Sequence, residues 1–305
     1  MTYSSGNTIL AADYNGFVST VNSVIGNSAS YRSGSGYGQS SLSTVSASGT
    51  VQAASWATLI TAVKNAASHQ GTTVDLPASN PSATDTITAF DGSVGSDTFN
   101  LTSAVADINT NSANVNAAQQ TTVAGSQVNA RGSVWGSGGS ETIDAESYVQ
   151  FASQVATDAF FNTGGEIHIT FQHASGSTAQ DDNWRDIFNN QIGTFKLGKT
   201  SVSRTGSGGN IAAFGYTSLT SSYQNIYTGT NIGGGAYAAN DTNIEAYLNE
   251  SNHRIYIRTT HVDQSTAISP STADEVAAGT AVSIGFRKST VYAPATPSTT
   301  SVSGY

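Results

Sequence analysis

The chain has no cysteine and a single methionine in 305 residues. Without thiols there are no disulfides, no thiolate nucleophile and no cysteine-based zinc site. Cations are scarce as well: 11 Lys and Arg stand against 20 Asp and Glu, a formal net charge of −9. No basic cluster exists that could displace counterions from a polyphosphate, which excludes a nucleic-acid binder. Charged residues of both signs make up 10 % of the chain, against a usual ~25 %. The surface must therefore be covered by Ser, Thr, Asn, Gln and Gly. Fibrous, extracellular and virion proteins often have this composition; intracellular enzymes seldom do. No apolar run approaches the ~18 residues of a spanning helix, so no membrane insertion is expected. The start, Met1 to Gly6, has neither a basic nor a long apolar region, so no signal peptide is expected.

What is present begins with an internal repeat. Thr8-Ile9-Leu10-Ala11-Ala12-Asp13-Tyr14 through Asn22 aligns with Thr50-Val51-Gln52-Ala53-Ala54-Ser55-Trp56 through Lys64. Tyr14, Phe17 and Val21 in one copy, and Trp56, Leu59 and Val63 in the other, recur at helical spacing. Gly26 and Gly71 are natural stops. Each copy predicts an amphipathic helix that cannot bury its face alone. A helical hairpin is the simpler outcome; a module that also docks a neighbouring subunit is the sharper one. Between the copies, Ser33-Gly34-Ser35-Gly36-Tyr37-Gly38 lacks the strand and the Lys-Ser/Thr pair of a phosphate loop and reads as a turning loop with Tyr37 as an anchor.

Residues 73–97 read as a linker. Leu101, Val105, Ile108, Ser112, Val115, Gln119 and Thr122 fall on a heptad seam that weakens along its length. They predict a connecting helix, either a short coiled coil or a single helix lying on the head, within a segment 98–139 that ends in a Gly/Ser hinge with Trp135 exposed. The densest apolar stretch follows, Asp158-Ala159-Phe160-Phe161-Asn162-Thr163-Gly164-Gly165-Glu166-Ile167-His168-Ile169-Thr170-Phe171. It reads as a helix ending at two glycines and then a half-buried strand. Trp184, Ile187, Phe188 and Ile192 predict another short helix. Strands are expected at 195–199, 211–218, 223–228, 243–248, 254–262 and 281–288. The expected fold is α+β: an N-terminal helical docking module over 1–72, the connecting helix, a C-terminal antiparallel β-sandwich head over 140–292, and a flexible tail over 293–305.

Candidate chemistry is sparse. His69, His168, His173, His253 and His261 show no metal-ligand spacing. Asp181, Asp182 and Asp186 lack the EF-hand pattern and suit helix capping. Carboxylate pairs for glycoside hydrolysis can be drawn from Glu141, Glu146, Glu166, Asp241 and Glu245, as from any chain. No G-x-S-x-G elbow occurs. No catalytic residue, cofactor or metal ligand is assigned. The tyrosines are concentrated late. Tyr223, Tyr227, Tyr237, Tyr247 and Tyr256 either fill the core of the head or form a ligand surface, since tyrosine gives large contact area at low entropy cost.

Two motifs carry a family resemblance. Thr8-Ile9-Leu10-Ala11-Ala12-Asp13-Tyr14-Asn15, with Gly36-Tyr37-Gly38-Gln39 and Ala53-Ala54-Ser55-Trp56 downstream, is one. Asp158-Ala159-Phe160-Phe161-Asn162-Thr163-Gly164-Gly165-Glu166-Ile167, with the later Asp182-Asn183-Trp184, is the other. Together they resemble virion structural proteins of tailed bacteriophages, especially marine and cyanobacterial ones. Where that family favours a basic residue after Gly-Gly-Glu-Ile, this chain has His168. The resemblance implies a structural subunit of the tail or its appendages, made in the host cytoplasm and placed in the virion. The partners implied are other tail proteins and copies of itself, a trimer first and a sixfold ring next. Tyr14, Phe17, Val21, Trp56, Leu59, Val63, Leu101, Val105 and Ile108 are the expected assembly interface. A head that binds a host surface glycan is the alternative, and a polysaccharide-degrading enzyme the more remote one.

Overall fold

A computed structural model describes residues 11–32, 34–47, 49–82, 93–94, 97–98, 100–137, 140–264 and 275–305. The start of the first repeat copy (Thr8 to Leu10), much of the expected linker and the end of the expected hinge (Gly138, Gly139) lie outside the described residues. The chain divides into two units. One holds residues up to Thr121 with Asp158–Thr163 and Ser289–Pro294; the other holds Thr122–Thr157, Gly164–Lys288 and Ala295–Tyr305.

The first unit is helical. Helix α1 (Ala11–Ile25) and helix α2 (Ala53–Gln70) are the two repeat copies, followed by a two-stranded ribbon, β1 (Ser93–Val94) with β2 (Asp97–Thr98), and helix α3 (Leu101–Thr110). The repeat explains how α1 meets α2. Its equivalent aromatics, Tyr14 and Trp56, pack edge to face at 5.2 Å, and the Tyr14 hydroxyl donates to the Ser55 carbonyl. All of the residues expected to form an assembly interface, from Tyr14 to Ile108, are between 0 and 7 % exposed and share one core. They are therefore not a surface. Three helices, rather than two, bury one another's apolar stripes within a single chain.

The glycine-rich loop after α1 closes its C-terminal end. Tyr37 N and Gln39 N both donate to the Ile25 carbonyl, and Gly38 N donates to Gly26. Gly36 has φ +112, and a Cβ there would stand 2.3 Å from the Gly26 carbonyl oxygen. Gly36→Ala is expected to cost about 1–3 kcal/mol, because both backbone strain and a backbone clash must be relieved. A urea midpoint within error of the parent's would contradict that placement. Tyr37 is buried as expected, with its hydroxyl donating to Ser112 O and accepting from Gln70.

The heptad reading fails after α3. Asn100 caps the start of that helix by accepting from Ser103 N, and the helix ends at Asn111. Residues 111–116 are Asn, Ser, Ala and Val, too poor in helix formers to continue without a partner. A short 3-10 turn, Ala117–Gln119, leads into strand β3 (Gln120–Ala130). The expected connecting helix is therefore helical only over its first half; β3 takes its last positions and the first residues of the expected hinge.

The second unit carries β4 (Glu141–Gln150), helix α4 (Gln154–Asn162, its last turns in the first unit), β5 (Glu166–His173) and helix α5 (Ala179–Asp186). Then come β6 (Phe195–Leu197), β7 (Val202–Arg204), β8 (Asn210–Ile211), β9 (Gln224–Gly229), β10 (Asp241–Asn249), β11 (Arg254–Asp263), β12 (Thr280–Ser289) and β13 (Ser298–Ser303). They form a six-stranded sheet in the order β13-β4-β11-β10-β9-β8 and a five-stranded sheet in the order β3-β12-β5-β6-β7. Mixed helix and antiparallel sheet, helices first and most strands later, is the expected α+β class.

In β5 the expected alternation holds: Ile167 and Ile169 are fully buried and Phe171 nearly so. Helix α5 starts in a capping box, Thr178 with Asp181, continues as a π-helical turn over Ile187–Ile192, and stops at Gly193 with φ +64. Three expectations are corrected. Residues 211–218 form only the end of β8 and a 3-10 turn. The tail is not free, because β13 pairs with β4. Trp135 is 1 % exposed rather than displayed, bridged to Val276 through the backbone and set 4.8 Å from Trp184.

Candidate functional site

The register of the six-stranded sheet gathers residues that are far apart in sequence. Tyr148 stands opposite Tyr256, and Tyr256 opposite Tyr247. In the next row on the same face, Glu146, Arg258 and Glu245 align. The intervening residues Val149, Ile255 and Leu248 are buried, so the tyrosine row lies on the other, half-buried face.

The tyrosines stack into a ladder. Tyr247 and Tyr256 are parallel at 4.6 Å, and Tyr148 follows Tyr256 at 5.5 Å. Tyr223 meets Tyr247 edge-on at 4.7 Å. Guanidinium groups cover the ends: Arg254 lies 4.0 Å over Tyr148 and Arg258 lies 4.2 Å over Tyr223. Arg258 also grips Glu245 with two nitrogens, at 2.7 and 2.6 Å. Burial, then the nearby Glu146 carboxylate, raises the Tyr223 phenol well above its ordinary range. Of the five tyrosines expected to offer a ligand surface, only Tyr223, Tyr247 and Tyr256 are on this face. Tyr227 and Tyr237 are core residues, 0 and 9 % exposed.

Stacking a sugar needs an open ring face. Here the ring faces lie against one another or beneath an arginine. What the face offers outward is phenol edges, amides and paired charges, a hydrogen-bonding rim rather than an aromatic platform. Tyr256→Ala removes the middle rung and is expected to cost about 1–2 kcal/mol, from lost ring–ring and cross-strand contact. Tyr148→Ala, at the end of the ladder, should cost less. Equal losses in urea titrations would argue against a cooperative stack.

A second constellation has the outline of a catalytic relay. His173 Nε2 is 2.8 Å from Asp181 Oδ1, and His173 Nδ1 is 3.2 Å from Thr280 Oγ1. Proximity alone would suggest an activated hydroxyl. Access decides otherwise: Thr280 is fully buried, and the His173 and Asp181 side chains are 0 and 1 % exposed. The Thr280 hydroxyl also accepts the Trp135 indole N–H at 3.2 Å. Asp181 takes further hydrogen bonds from Thr178 N, Thr178 Oγ1 and Ala277 N, each within 2.9 Å. Burial pushes the Asp181 carboxyl up, but the bonds from Ala277, Thr178 and His173 outweigh it and hold the pKa below the ordinary carboxylate value. The arrangement fastens β5, α5 and β12 together. Nothing in sequence spacing could reveal it, since His173 and Thr280 are 107 residues apart.

The remaining candidates have structural uses. His168 Nε2 sits 3.0 Å from Glu166 Oε2, with Arg287 3.6 Å from the same oxygen. The His168 bond is the main reason the Glu166 pKa is lowered. His261 bonds Thr242 and Tyr305 inside an aromatic cage of Phe171, Trp184 and Phe188. Grooves on the helical unit of about 370 and 300 Å³ contain no titratable side chain. Among the described residues no group of three or more His, Asp or Glu could hold a metal ion, and no helix is long and apolar enough to cross a membrane. No protein-family model, curated protein or solved structure matches this chain.

Proposed function

We propose that the chain is a structural subunit of a tailed-bacteriophage virion, from the tail or its appendages, that assembles with copies of itself and with other tail proteins. In this reading the two antiparallel sheets form a β-sandwich head, and the helical unit docks it to the particle. The observation that carries the reading is what the resembling motifs do. Tyr14 and Trp56 form the aromatic joint of the repeat helices, Tyr37 closes α1, and Phe160, Phe161 and Trp184 are fully buried. These motifs supply buried aromatic residues to two folded units, as suits an architectural part. The test is direct: purified particles of the phage that encodes this chain, digested and analysed by mass spectrometry with crosslinking, should yield its peptides joined to tail proteins. Intact particles that lack the chain would overturn the proposal.

The rim of the tyrosine ladder supports a second reading, a host-glycan-binding head that recognises hydroxyls by hydrogen bonding. Host lipopolysaccharide or capsule should then bind the assembled protein, and Glu245→Ala with Arg258→Ala should weaken that binding. No binding by the assembled protein would dismiss this reading and leave the architectural one intact.

A further inference from the structure

Strand β13 is fastened by a residue beyond it rather than by burial of its own. It consists of Ser and Thr apart from Val302, which is 52 % exposed, and Thr299 alone of its six residues is half-buried. It pairs with β4 from Ser298 opposite Gln150 to Ser303 opposite Glu146, with a register shift on the way. The anchor follows. The Tyr305 hydroxyl lies 2.8 Å from Thr259 Oγ1 and 2.9 Å from His261 Nε2, and its ring is 5.4 Å from the imidazole. Ser301 Oγ adds one bond to Asn129 Oδ1 on β3. The segment Ala295–Tyr305 is therefore a separable piece, a ladder on one side of β4 and one aromatic plug.

The chain that leads into this piece is strained. Tyr292 is fixed against Tyr37 and His69, with ring centroids at 4.8 and 5.2 Å. Ala293 comes next with φ +37, in the left-handed region that a Cβ disfavours. Asn231, at φ +53, has a side chain suited to that region; Ala293 does not. Pro294 follows directly, and a residue before proline is driven toward extended backbone. Pro297 fixes a second φ three residues on. A short hinge under strain favours an opened path in which the segment leaves its own sheet.

We infer that Ala295–Tyr305 is exchanged between copies of this chain: β13 of one copy pairs with β4 of a second, and its Tyr305 fills the second copy's Thr259–His261 site. The contacts of the closed form are regained, so hinge strain and protein concentration set the balance. The segment has no charged side chain, so it passes between copies of net charge −9 without added repulsion. Exchange is reciprocal in a pair or runs from copy to copy around a ring. The inference rests on the reading of the chain as an assembling subunit and names the piece that joins the copies.

The absence of cysteine makes a direct test possible. Full-length Ser298→Cys and full-length Gln150→Cys, each a single substitution, are unfolded, refolded together at high concentration and oxidised. The two positions face each other across the β13–β4 ladder, within disulfide reach. A peptide joining position 298 of one copy to position 150 of another is expected by mass spectrometry in the associated fraction and not in the monomer. Ala293→Gly should raise the dissociation constant of the associated parent about tenfold, because glycine accepts positive φ and keeps the closed form. A protein that stays monomeric at high concentration, an associated form without the link between 298 and 150, or an unchanged dissociation constant in Ala293→Gly overturns the exchange. If Gln150→Cys, which gives up bonds to Arg254 and Asn252, fails to fold, the glycine variant decides. None of these results touches the virion reading, which stands or falls on finding the chain in particles.

Discussion

Trp135→Ala is expected to destabilise the two-sheet unit by about 3–5 kcal/mol, the range for emptying a buried tryptophan site. The ring is 1 % exposed and lies 4.8 Å from Trp184. Its indole N–H donates to Thr280 Oγ1, the hydroxyl that also meets His173. Truncation therefore opens a cavity and takes a partner from a buried polar chain, and the two losses fall on the same neighbours. Trp135→Phe separates them. Most of the packing returns while the N–H bond does not, so a cost of about 1–2 kcal/mol is expected from the unmade bond and the smaller ring. Urea unfolding followed by circular dichroism reads both. A loss below about 1 kcal/mol for the alanine variant would mean the indole is solvent-exposed in solution, as its Gly/Ser-rich surroundings suggest at first sight.

Acid should weaken both units well before their carboxylates titrate. Burial lowers the pKa of His69 to about 4 and that of His261 to about 3. The ordinary imidazole value, near 6.5, applies to the unfolded chain. Between those values the unfolded state binds the proton and the folded state does not. Stability therefore falls as pH drops through 6.5, and continues to fall to about pH 4 for His69 and about pH 3 for His261. The slope is on the order of 1 kcal/mol per pH unit for each imidazole. Asp181 works in the same direction at lower pH. Its folded pKa is depressed, so its contribution is complete above the unfolded value and is lost as pH falls through the folded one. The denaturation midpoint should be flat above pH 7 and decline steadily below 6.5. His261→Gln should flatten the decline in the two-sheet unit, even though that variant starts from a lower stability. A midpoint unchanged between pH 7 and 5 would show that both imidazoles reach water.

Much of this fold is legible in the sequence where local period and burial agree. Tyr14, Phe17 and Val21 mark α1 because a helical stripe needs that spacing, and Ile167, Ile169 and Phe171 mark β5 because a half-buried strand needs alternation. β3 is illegible for the converse reason. Gln120 to Ala130 bury almost nothing, so no apolar period exists, and β12 alone makes the segment a strand. Trp135 misleads because its flanks describe a loop while its ring belongs to the core. Leu101, Val105 and Ile108 are read correctly as an apolar stripe and wrongly as a seam for another chain, since spacing does not say whose helix covers it. The ladder depends on register, which places Tyr148 beside a residue more than a hundred positions away. The late cluster of Tyr247 and Tyr256 hints at it, while Tyr227 and Tyr237, equally conspicuous in sequence, point inward.

The division of the chain into its units constrains the order in which it can be made. The polypeptide passes from one unit to the other after Thr121, Thr157, Thr163, Lys288 and Pro294. Tyr292, which packs against Tyr37 and His69, belongs to the helical unit although it follows nearly every strand of the other. A ribosome building this protein releases α1, α2 and α3 early, yet those helices must wait for Tyr292 before their unit is complete. Fragments cut at a single peptide bond would leave at least one half without its closing piece. Separate expression of the halves should therefore yield insoluble product where the uncut chain folds.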